Sequence, residues 1–267
     1  MAISEGRVSR IKRLNLIRQE LLDNGEISTE RLSAKLDVSS MTIHRDLESL
    51  VSAGDAVRTY GGAALARKLT FEFAFCEKQK ERQREKNLIA GQAVKHVKES
   101  QVILLDTGTT TLMIARRLAG KGMVSVITTS LTIVSELQFS SDIEVILLGG
   151  FLRGGSPDMH GPLTEHNMEQ FRADVAFIGA DGIDYSGNTY TGDLRVVNLD
   201  RKMAAGSSKV IVVADSSKFG ANAMCKVLTP SDYDLIITDS GIGKTALNRF
   251  RKNQIEIEIA ADEEENA

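Results

Sequence analysis

The sequence predicts an α/β protein in two parts: three short N-terminal helices with a β-hairpin, then a larger, doubly wound and mostly parallel sheet. Apolar residues recur at helical spacing up to Gly54, whereas short apolar runs alternate with helical stretches after residue 100. The chain has 267 residues, of which 42% are apolar and 26% charged, so it can bury a core and wholesale disorder is excluded.

Charge and cysteine content limit the class of protein. The formal net charge is −3, far from that of a protein that coats polyanions, but the first 68 residues carry eleven Lys and Arg against nine Asp and Glu. No apolar stretch approaches the roughly 18 residues that span a bilayer, and the N-terminus has no signal-peptide pattern. Cys76 and Cys225 form no CxxC pair, and the four histidines make no zinc pattern. We therefore expect a cytoplasmic protein with no membrane contact, no metal and no cofactor.

The first two helices follow from apolar spacing and from the residues at their ends. The first is expected from about Val8 to Asn24, with a buried stripe formed by Ile11, Leu14, Ile17, Leu21 and Leu22. Asn24 and Gly25 end it, because both tolerate a left-handed backbone. Ser28 or Thr29 can cap a short second helix that reaches Leu36.

The third helix presents the chemistry that suits DNA. Ser39 or Ser40 caps it, and Ile43, Leu47, Leu50 and Val51 form its inner face. The outer face then carries Met41, Thr42, Arg45 and Ser49, with His44 at the flank. A helix of this kind, joined to a short partner by a tight turn, fits the major groove.

A hairpin, or wing, is expected after Gly54, turning at Gly61 and Gly62. Its Arg58 and Tyr60 suit backbone phosphates. The predicted DNA-contact residues are Ser39, Ser40, Thr42, His44, Arg45, Ser49, Arg58 and Tyr60.

Beyond residue 100, short apolar runs predict strands that are covered on both faces. These runs are 102–105, 124–127, 145–148, 175–178, 210–213 and 235–237. Helical stretches separate most of them, so the sheet is mostly parallel with helices on both sides. Ligands of such sheets bind beyond the carboxyl ends of the strands.

Polar and glycine-rich segments follow several of these strands and predict one crevice. A small phosphorylated polyol or sugar suits it, with its phosphate on the Thr-rich turn and Lys218 and its hydroxyls on Asp106 or Asp181. The predicted effector-binding residues are Asp106, Gly108, Thr109, Thr110, Thr111, Thr129, Ser130, Gly149, Gly150, Asp181 and Lys218.

The residue pattern resembles the DeoR family of transcriptional regulators. The resemblance to its winged helix-turn-helix rests on Arg13, Ile17 and Leu21, then on Ser39, residues 42–47 and residues 58–63. The family more often has Arg at the position of His44. The resemblance to its effector domain rests on residues 106–111, 148–150, 177–183 and 214–220. That domain is similar in fold to ribose-5-phosphate isomerase and the coenzyme A transferases. The resemblance implies a repressor of a carbohydrate-utilisation operon that binds double-stranded operator DNA as a homodimer or homotetramer and is released by a phosphorylated sugar.

These considerations divide the chain into a winged helix-turn-helix domain (1–66), a helical linker that docks on the second domain (67–99), a phosphosugar-sensing α/β domain (86–260) and an acidic tail (261–267). The expectation is a regulator with no catalytic residues. One alternative is a sugar-phosphate isomerase or transferase with a DNA-binding appendage, in which Asp106 or Asp181 is the general base and Lys218 stabilises an enediolate. A structural DNA-bending protein is a further alternative, but such proteins do not need a polar crevice.

Overall fold

The structure is a computed structural model that describes residues 9–65, 75, 78–154, 156–221 and 223–261, without the side chain of Leu22. The chain separates into two compact units, a smaller one of Met1–Glu77 with Gly154–Ser156 and a larger one of Lys78–Arg153 with Pro157–Ala267. Residues 1–8 and 66 of the predicted winged helix-turn-helix domain, residues 67–74 and 76–77 of the predicted linker, residues 155 and 222, and residues 262–267 of the predicted tail lie outside the described residues. None of the helices in the described ranges is both long enough and apolar enough to cross a bilayer.

The N-terminal unit is the winged helix-turn-helix that the sequence predicts. In chain order it contains α1 (Arg10–Asn24), β1 (Glu26–Ser28), α2 (Thr29–Leu36), α3 (Ser40–Ser52), β2 (Ala56–Thr59) and β3 (Gly62–Leu65). Ser9, Ser28 and Ser39 cap the three helices through their hydroxyl oxygens. The strands form an antiparallel sheet in the order β1-β3-β2. Gly61 makes the turn of the wing at φ +84°, a backbone conformation that glycine adopts at little cost.

One apolar core joins the helices and strands of this unit. Ile17, Leu21, Ile43 and Leu47 are fully buried there, as their spacing predicts. The expectation for Ile11 is wrong, because its side chain is 76% exposed. Ile11 lies in the first turn of α1, one turn before the part of the helix that contacts the core.

The larger unit alternates helices and strands. In chain order it contains α4 (Gln83–Ala93), β4 (Val102–Leu105), α5 (Thr109–Arg117), β5 (Val124–Thr128), α6 (Leu131–Leu137), β6 (Ile143–Leu147), β7 (Phe151–Leu152), β8 (Met159–His160), α7 (Pro162–Met168), β9 (Ala173–Gly179), β10 (Gly182–Ile183), β11 (Thr189–Thr191), α8 (Val197–Ala205), β12 (Ser207–Val213), β13 (Cys225–Lys226), β14 (Leu235–Asp239), α9 (Lys244–Lys252) and β15 (Ile257–Ala260). Seven of these strands form one parallel sheet in the order β15-β14-β12-β9-β4-β5-β6.

Both faces of this sheet are covered, as predicted for continuous apolar strands. Ala176 and Ile178 of β9 join a core with side chains of α8 and α9, such as Met203 and Phe250. The alternate β9 residues are also buried, so helices pack on the opposite face too. β6 departs from the prediction, because it is an edge strand and only Ile143 of its five residues is buried. Val145 and Ile146 are half-buried, and Glu144 and Leu147 are exposed.

The strand order contains one reversal, and it lies between β4 and β9. From β4 the chain adds β5 and β6 on one side, then returns and adds β9, β12, β14 and β15 on the other. The sheet is therefore doubly wound, with a topological switch point between β4 and β9. Parallel α/β sheets bind ligands beyond the carboxyl ends of the strands at such a point.

The described part of the predicted linker is helical and packs onto the larger unit. α4 contacts α5, β14 and β15, and its residues Ile89 and Ala93 are fully buried. Lys86 of α4 is also buried, and its ammonium donates hydrogen bonds to the backbone carbonyls of Lys78 and Glu81. Burial lowers the pKa of Lys86. The boundaries predicted for the linker and the domains stay predictions.

Candidate nucleic-acid interface and effector crevice

The N-terminus of α3 is built around a serine cap. The Ser39 hydroxyl accepts a hydrogen bond from the Thr42 amide at 3.3 Å, and the two hydroxyl oxygens lie 2.9 Å apart. Ser39, Ser40 and Met41 are exposed, and Thr42 is half-buried. The side chains that the sequence assigns to the start of a recognition helix are therefore on the surface of the unit.

The wing and α3 meet at a contact between two predicted DNA-contact residues. Arg58 of β2 places a guanidinium nitrogen 2.8 Å from Nδ1 of His44. Because a guanidinium can only donate, Nδ1 accepts and the proton of the neutral ring is on Nε2. His44 can therefore offer a single Nε2–H donor to an acceptor atom of a base. Tyr60, in the turn of the wing, is fully exposed.

The outer face of α3 also carries Arg45, which is exposed. Its guanidinium makes no hydrogen bond or ion pair within the parts of the chain that the structure describes. Ser49 is different, because its hydroxyl donates to the Arg45 carbonyl at 2.9 Å and accepts from Arg10 at 2.8 Å. Arg45 thus presents a full set of donors, whereas the hydroxyl of Ser49 already has partners.

The inner face of α3 contains an ion pair that the sequence reasoning missed. Asp46 is 1% exposed, and its carboxylate accepts from Nε of Arg13 at 2.5 Å and from Nη2 of Arg13 at 3.2 Å. The hydrogen bond with Asp46 raises the pKa of Arg13. This bidentate pair fastens α1 to the back of α3. The available signal was Asp46 itself, which falls between two residues of the apolar stripe, Ile43 and Leu47.

In the larger unit, Asp106 lies at the switch point. It follows β4, and its carboxylate accepts from the Gly179 amide at the end of β9 at 3.0 Å and from the Thr107 amide at 2.5 Å. Burial raises the pKa of Asp106, against the effect of these two hydrogen bonds. One predicted effector-binding side chain therefore bridges the ends of the two strands on either side of the reversal.

The Thr-rich turn forms the N-terminus of α5. Gly108 is the N-cap residue and provides no side-chain cap, so the first amides of α5 are not capped by a side chain. The Thr111 hydroxyl instead donates within the turn, to the carbonyls of Asp106 and Gly108. Thr110 and Thr111 are buried, and Thr109 is half-buried.

Further predicted residues follow β5 and β6. Thr129 is 1% exposed, and its hydroxyl has no hydrogen-bond partner among the described residues. Ser130 caps α6, and its hydroxyl accepts from the Ile133 amide. A side chain at Gly149 would meet open space, whereas a Cβ at Gly150 would lie 1.8 Å from the Thr164 hydroxyl oxygen. Close packing therefore explains Gly150 without a ligand.

Asp181 has hydrogen-bond donors of its own, and the charge of Lys218 acts on it. The Asp181 carboxylate accepts from the Lys78 ammonium and from the Gly192 amide, each at 3.0 Å. Burial alone would raise its pKa, but the Gly192 hydrogen bond, Lys78 and Lys218 together lower it. Lys218 is half-buried, and no hydrogen bond or ion pair between described residues joins it to the turn formed by Thr109–Thr111.

Arg153 and its carboxylate partners belong to the same surroundings, and the sequence reasoning missed them. Arg153 donates two hydrogen bonds to Asp158, at 2.6 and 2.8 Å, and one to Asp193 at 2.9 Å. Asp158 is 1% exposed, and its charge acts to raise the pKa of Asp106. No local pattern marks this set, because Asp193 comes from a different loop, about 40 residues after Arg153 and Asp158. Within the described ranges, no three His, Cys, Asp or Glu side chains are grouped so that they could hold a metal ion.

Together, these features define a DNA-binding regulator: a winged helix-turn-helix in which the outer face of α3 is exposed, followed by an α/β unit with polar side chains at its switch point. Residues 13–68 match the model of the DeoR-like helix-turn-helix domain, and residues 81–240 match that of the DeoR C-terminal sensor domain. The chain belongs to the DeoR family, as the sequence predicts.

Curated relatives support the same assignment over almost the whole chain. The putative aga operon transcriptional repressor of Escherichia coli O157:H7 is 31% identical over 94% of each chain. The regulator GolR of Listeria innocua is 31% identical over 93% of this chain and 98% of its own. The glycerol-3-phosphate regulon repressor of Escherichia coli K12 is 29% identical over 94% and 100%. These relatives are named as regulators, which agrees with the expectation of a regulator instead of an enzyme.

Solved structures give a more distant match. Ribose 5-phosphate isomerase A from Methanocaldococcus jannaschii matches with a TM-score of 0.39 and 22% identity, over 52% of this chain and 55% of that chain. No functional conclusion follows from a likeness of this size.

Proposed function

We propose that this protein is a cytoplasmic repressor of a carbohydrate-utilisation operon, which binds its operator as a homo-oligomer and is released by a phosphorylated sugar. A homo-oligomer is required because one short recognition helix reads too few base pairs. The relatives named above regulate the aga operon and the glycerol-3-phosphate regulon, which supports a sugar-related regulon for this chain.

The proposed DNA contacts rest on the exposed face of α3 and on the wing. Arg45 offers a guanidinium that can bind two acceptors of guanine, and His44 offers one donor. The exposed hydroxyls of Ser39 and Ser40, together with Tyr60 on the wing, are suited to phosphate oxygens. Arg58 acts in this proposal through His44, because its guanidinium holds the ring.

The observation that carries the effector proposal is the Asp106–Gly179 hydrogen bond at the switch point. It joins the two strand ends between which ligands of doubly wound sheets bind. Beside it, the N-terminus of α5 offers amides without a side-chain cap, which attract a phosphate. The carboxylates of Asp106 and Asp181 can accept hydrogen bonds from sugar hydroxyls.

Release follows if the effector binds better to the arrangement that does not bind DNA. A coupling of about 1–3 kcal/mol, or roughly 5–150-fold in operator affinity, is the usual size of such effects. A modest difference in effector affinity between the two arrangements is therefore sufficient for release.

The test is a gel-shift titration of the full chain on its own upstream DNA, with and without phosphorylated and free sugars. Arg45→Ala should weaken binding by about 1–3 kcal/mol. Lys12→Ala, which removes one exposed cation from α1, is the matched control and should have a smaller effect. If the wild-type chain ignores every fragment of that DNA, the proposal is wrong.

A thermal-shift screen tests the effector separately. A ligand at 100 times its dissociation constant stabilises the folded protein by about 2.7 kcal/mol, which is readily detected. A screen in which no phosphorylated sugar shifts the melting temperature would contradict the effector proposal while leaving the DNA proposal intact.

A further inference from the structure

Asp200 is an acidic residue in an apolar stripe. It lies on α8, where the other buried residues are Val197, Leu199, Met203 and Ala204, and only 5% of its surface is exposed. Within the described ranges no group donates a hydrogen bond to its carboxyl or pairs with it. Buried polar groups are nearly always partnered, and leaving one without a partner is costly. This arrangement therefore suggests a group kept for a purpose other than stability.

The segment that leads into α8 is hydrogen-bonded to the polar groups at the carboxyl edge of the sheet, because the Gly192 amide donates to Asp181 and Arg153 donates to Asp193. Asp200 lies in the first turn of α8, and the charged groups that act on it are those of the same cluster. They are Asp106, Asp158, Asp181 and Arg153. Burial, followed by the charge of Asp106, raises the pKa of Asp200 well above its ordinary value. Arg153 opposes this, but its guanidinium is already bound by Asp158 and Asp193. The surroundings therefore favour the protonated, neutral form of the Asp200 carboxyl.

A second unpartnered polar group lies at the same edge of the sheet. The Thr129 hydroxyl is buried and has no hydrogen-bond partner among the described residues. Leu105 pairs with Thr128 in the register of β4 and β5, so Asp106 and Thr129 follow neighbouring strand ends. Two buried groups with unused hydrogen-bonding capacity thus belong to the carboxyl edge of the sheet, where the effector is proposed to bind.

We propose that Asp200 is an effector-binding residue, which donates a hydrogen bond to an oxygen of the uncharged polyol end of a phosphorylated sugar or sugar alcohol. The proposal rests on the proposed function and extends it to a specificity. Phosphorylated sugars whose other end is a carboxylate are rejected.

The chemistry of the cluster explains both parts of this assignment. A deprotonated carboxylate can only accept hydrogen bonds, whereas a protonated carboxyl also donates one, so a neutral Asp200 can bind a ligand oxygen that needs a donor. A ligand hydroxyl both donates and accepts, and therefore suits the mixed set. A ligand carboxylate would add a negative charge to a cluster of acidic groups in which the pKa of Asp181 is lowered, and this repulsion disfavours it.

The experiment compares Asp200→Asn and Asp200→Leu with wild type in the full chain. Asn keeps a neutral donor and acceptor, and Leu fits the apolar stripe but removes both. Glu256→Gln is the matched control, because it removes one acidic charge from an exposed position just before β15, at the amino end of an outer strand of the same sheet. Calorimetric titration uses three types of phosphorylated probe with equal carbon number: aldose phosphates, alditol phosphates and phosphorylated aldonic acids.

We expect Asp200→Leu to lose at least about tenfold in affinity for the best wild-type ligand, the equivalent of one good hydrogen bond. Asp200→Asn should stay within about threefold of wild type on the same hydrogen-bond scale, and Glu256→Gln should be unchanged. On wild type, the phosphorylated aldonic acid should bind at least about tenfold more weakly than the matching alditol, because of like-charge repulsion.

Unfolding measurements supply a readout that does not depend on a ligand. A carboxyl whose pKa is raised by folding destabilises the protein progressively as the pH rises from the unfolded to the folded value. Asp200→Asn should therefore have a higher urea midpoint than wild type at neutral pH, with the difference vanishing in acid, and the midpoint of Asp200→Leu should rise relative to wild type as the pH increases. A stabilised variant with impaired binding would distinguish a binding residue from a structural one.

The outcomes separate this assignment from the proposed function. If wild type binds a phosphorylated sugar and Asp200→Leu binds it equally well, Asp200 is not an effector residue, although the proposed function stands. Equal binding of the aldonic acid and the alditol overturns the specificity. If no probe of any type binds wild type, the proposed effector function is wrong, and this assignment with it.

Discussion

The buried ion pair between Arg13 and Asp46 gives the sharpest prediction for the stability of the DNA-binding unit. The side chains are only 11% and 2% exposed, and two hydrogen bonds join them. Arg13→Ala would leave the Asp46 carboxylate buried without its main partner. Arg10 approaches Asp46 at 3.8 Å but is 64% exposed, so it replaces little of the lost interaction.

The expected cost is large relative to the stability of the unit. Removing one member of a buried pair destabilises a protein by about 3–5 kcal/mol. A unit of about 60 residues has a total free energy of unfolding of about 3–9 kcal/mol. Arg13→Ala should therefore leave much of the unit unfolded and abolish DNA binding, even though Arg13 is not among the predicted DNA contacts.

Arg18→Ala is the matched control, since Arg18 lies on the same helix and pairs with Asp55 at 2.7 Å. That pair is at the surface, with Arg18 42% exposed, and such pairs contribute about 0–1 kcal/mol. The assay is hydrogen exchange of the peptides that cover α1 and α3 in the full chain, measured as a function of urea. If Arg13→Ala and Arg18→Ala cost the same, the assignment of a buried, stability-determining pair is refuted.

Three further predictions follow from individual contacts. Gly150→Ala should destabilise the larger unit by about 1–3 kcal/mol in urea unfolding because its Cβ would overlap Thr164, whereas Gly149→Ala should be near neutral, and equal effects would contradict the packing argument. His44→Ala and Arg58→Ala should be coupled by about 0.5–3 kcal/mol in a double-mutant cycle on DNA affinity, and additive effects would mean that the contact does not matter. Folding lowers the pKa of Asp181, so its ionised form stabilises the fold above the unfolded pKa of about 3.9, and this contribution disappears as the pH falls through the folded value. Asp181→Asn should therefore lower the urea midpoint at pH 7 but not in strong acid, and a difference that does not depend on pH would contradict this.

Local features of the sequence were sufficient for most elements of the fold. Ser28 and Ser39 cap α2 and α3, one of the two candidates that the sequence offered in each case. The apolar runs predicted six of the seven strands of the large sheet. β15 was missed because Glu256 and Glu258 alternate with Ile255, Ile257 and Ile259, so that no continuous apolar run marks the strand. Ile11 was wrongly placed in the core because helical spacing does not tell how far the core extends along a helix.

The sequence by itself determined the helices, the strands, the outward face of α3 and the family, because caps, periodicity and motifs act over a few residues. Only the tertiary structure decided the strand order and hence the switch point at Asp106 and Gly179. It also decided which side chains meet: Arg58 with His44, Arg13 with Asp46, and Arg153 with Asp158 and Asp193. The physical reason is that pairing between distant segments and burial of charge depend on the whole packed core, which no local pattern encodes.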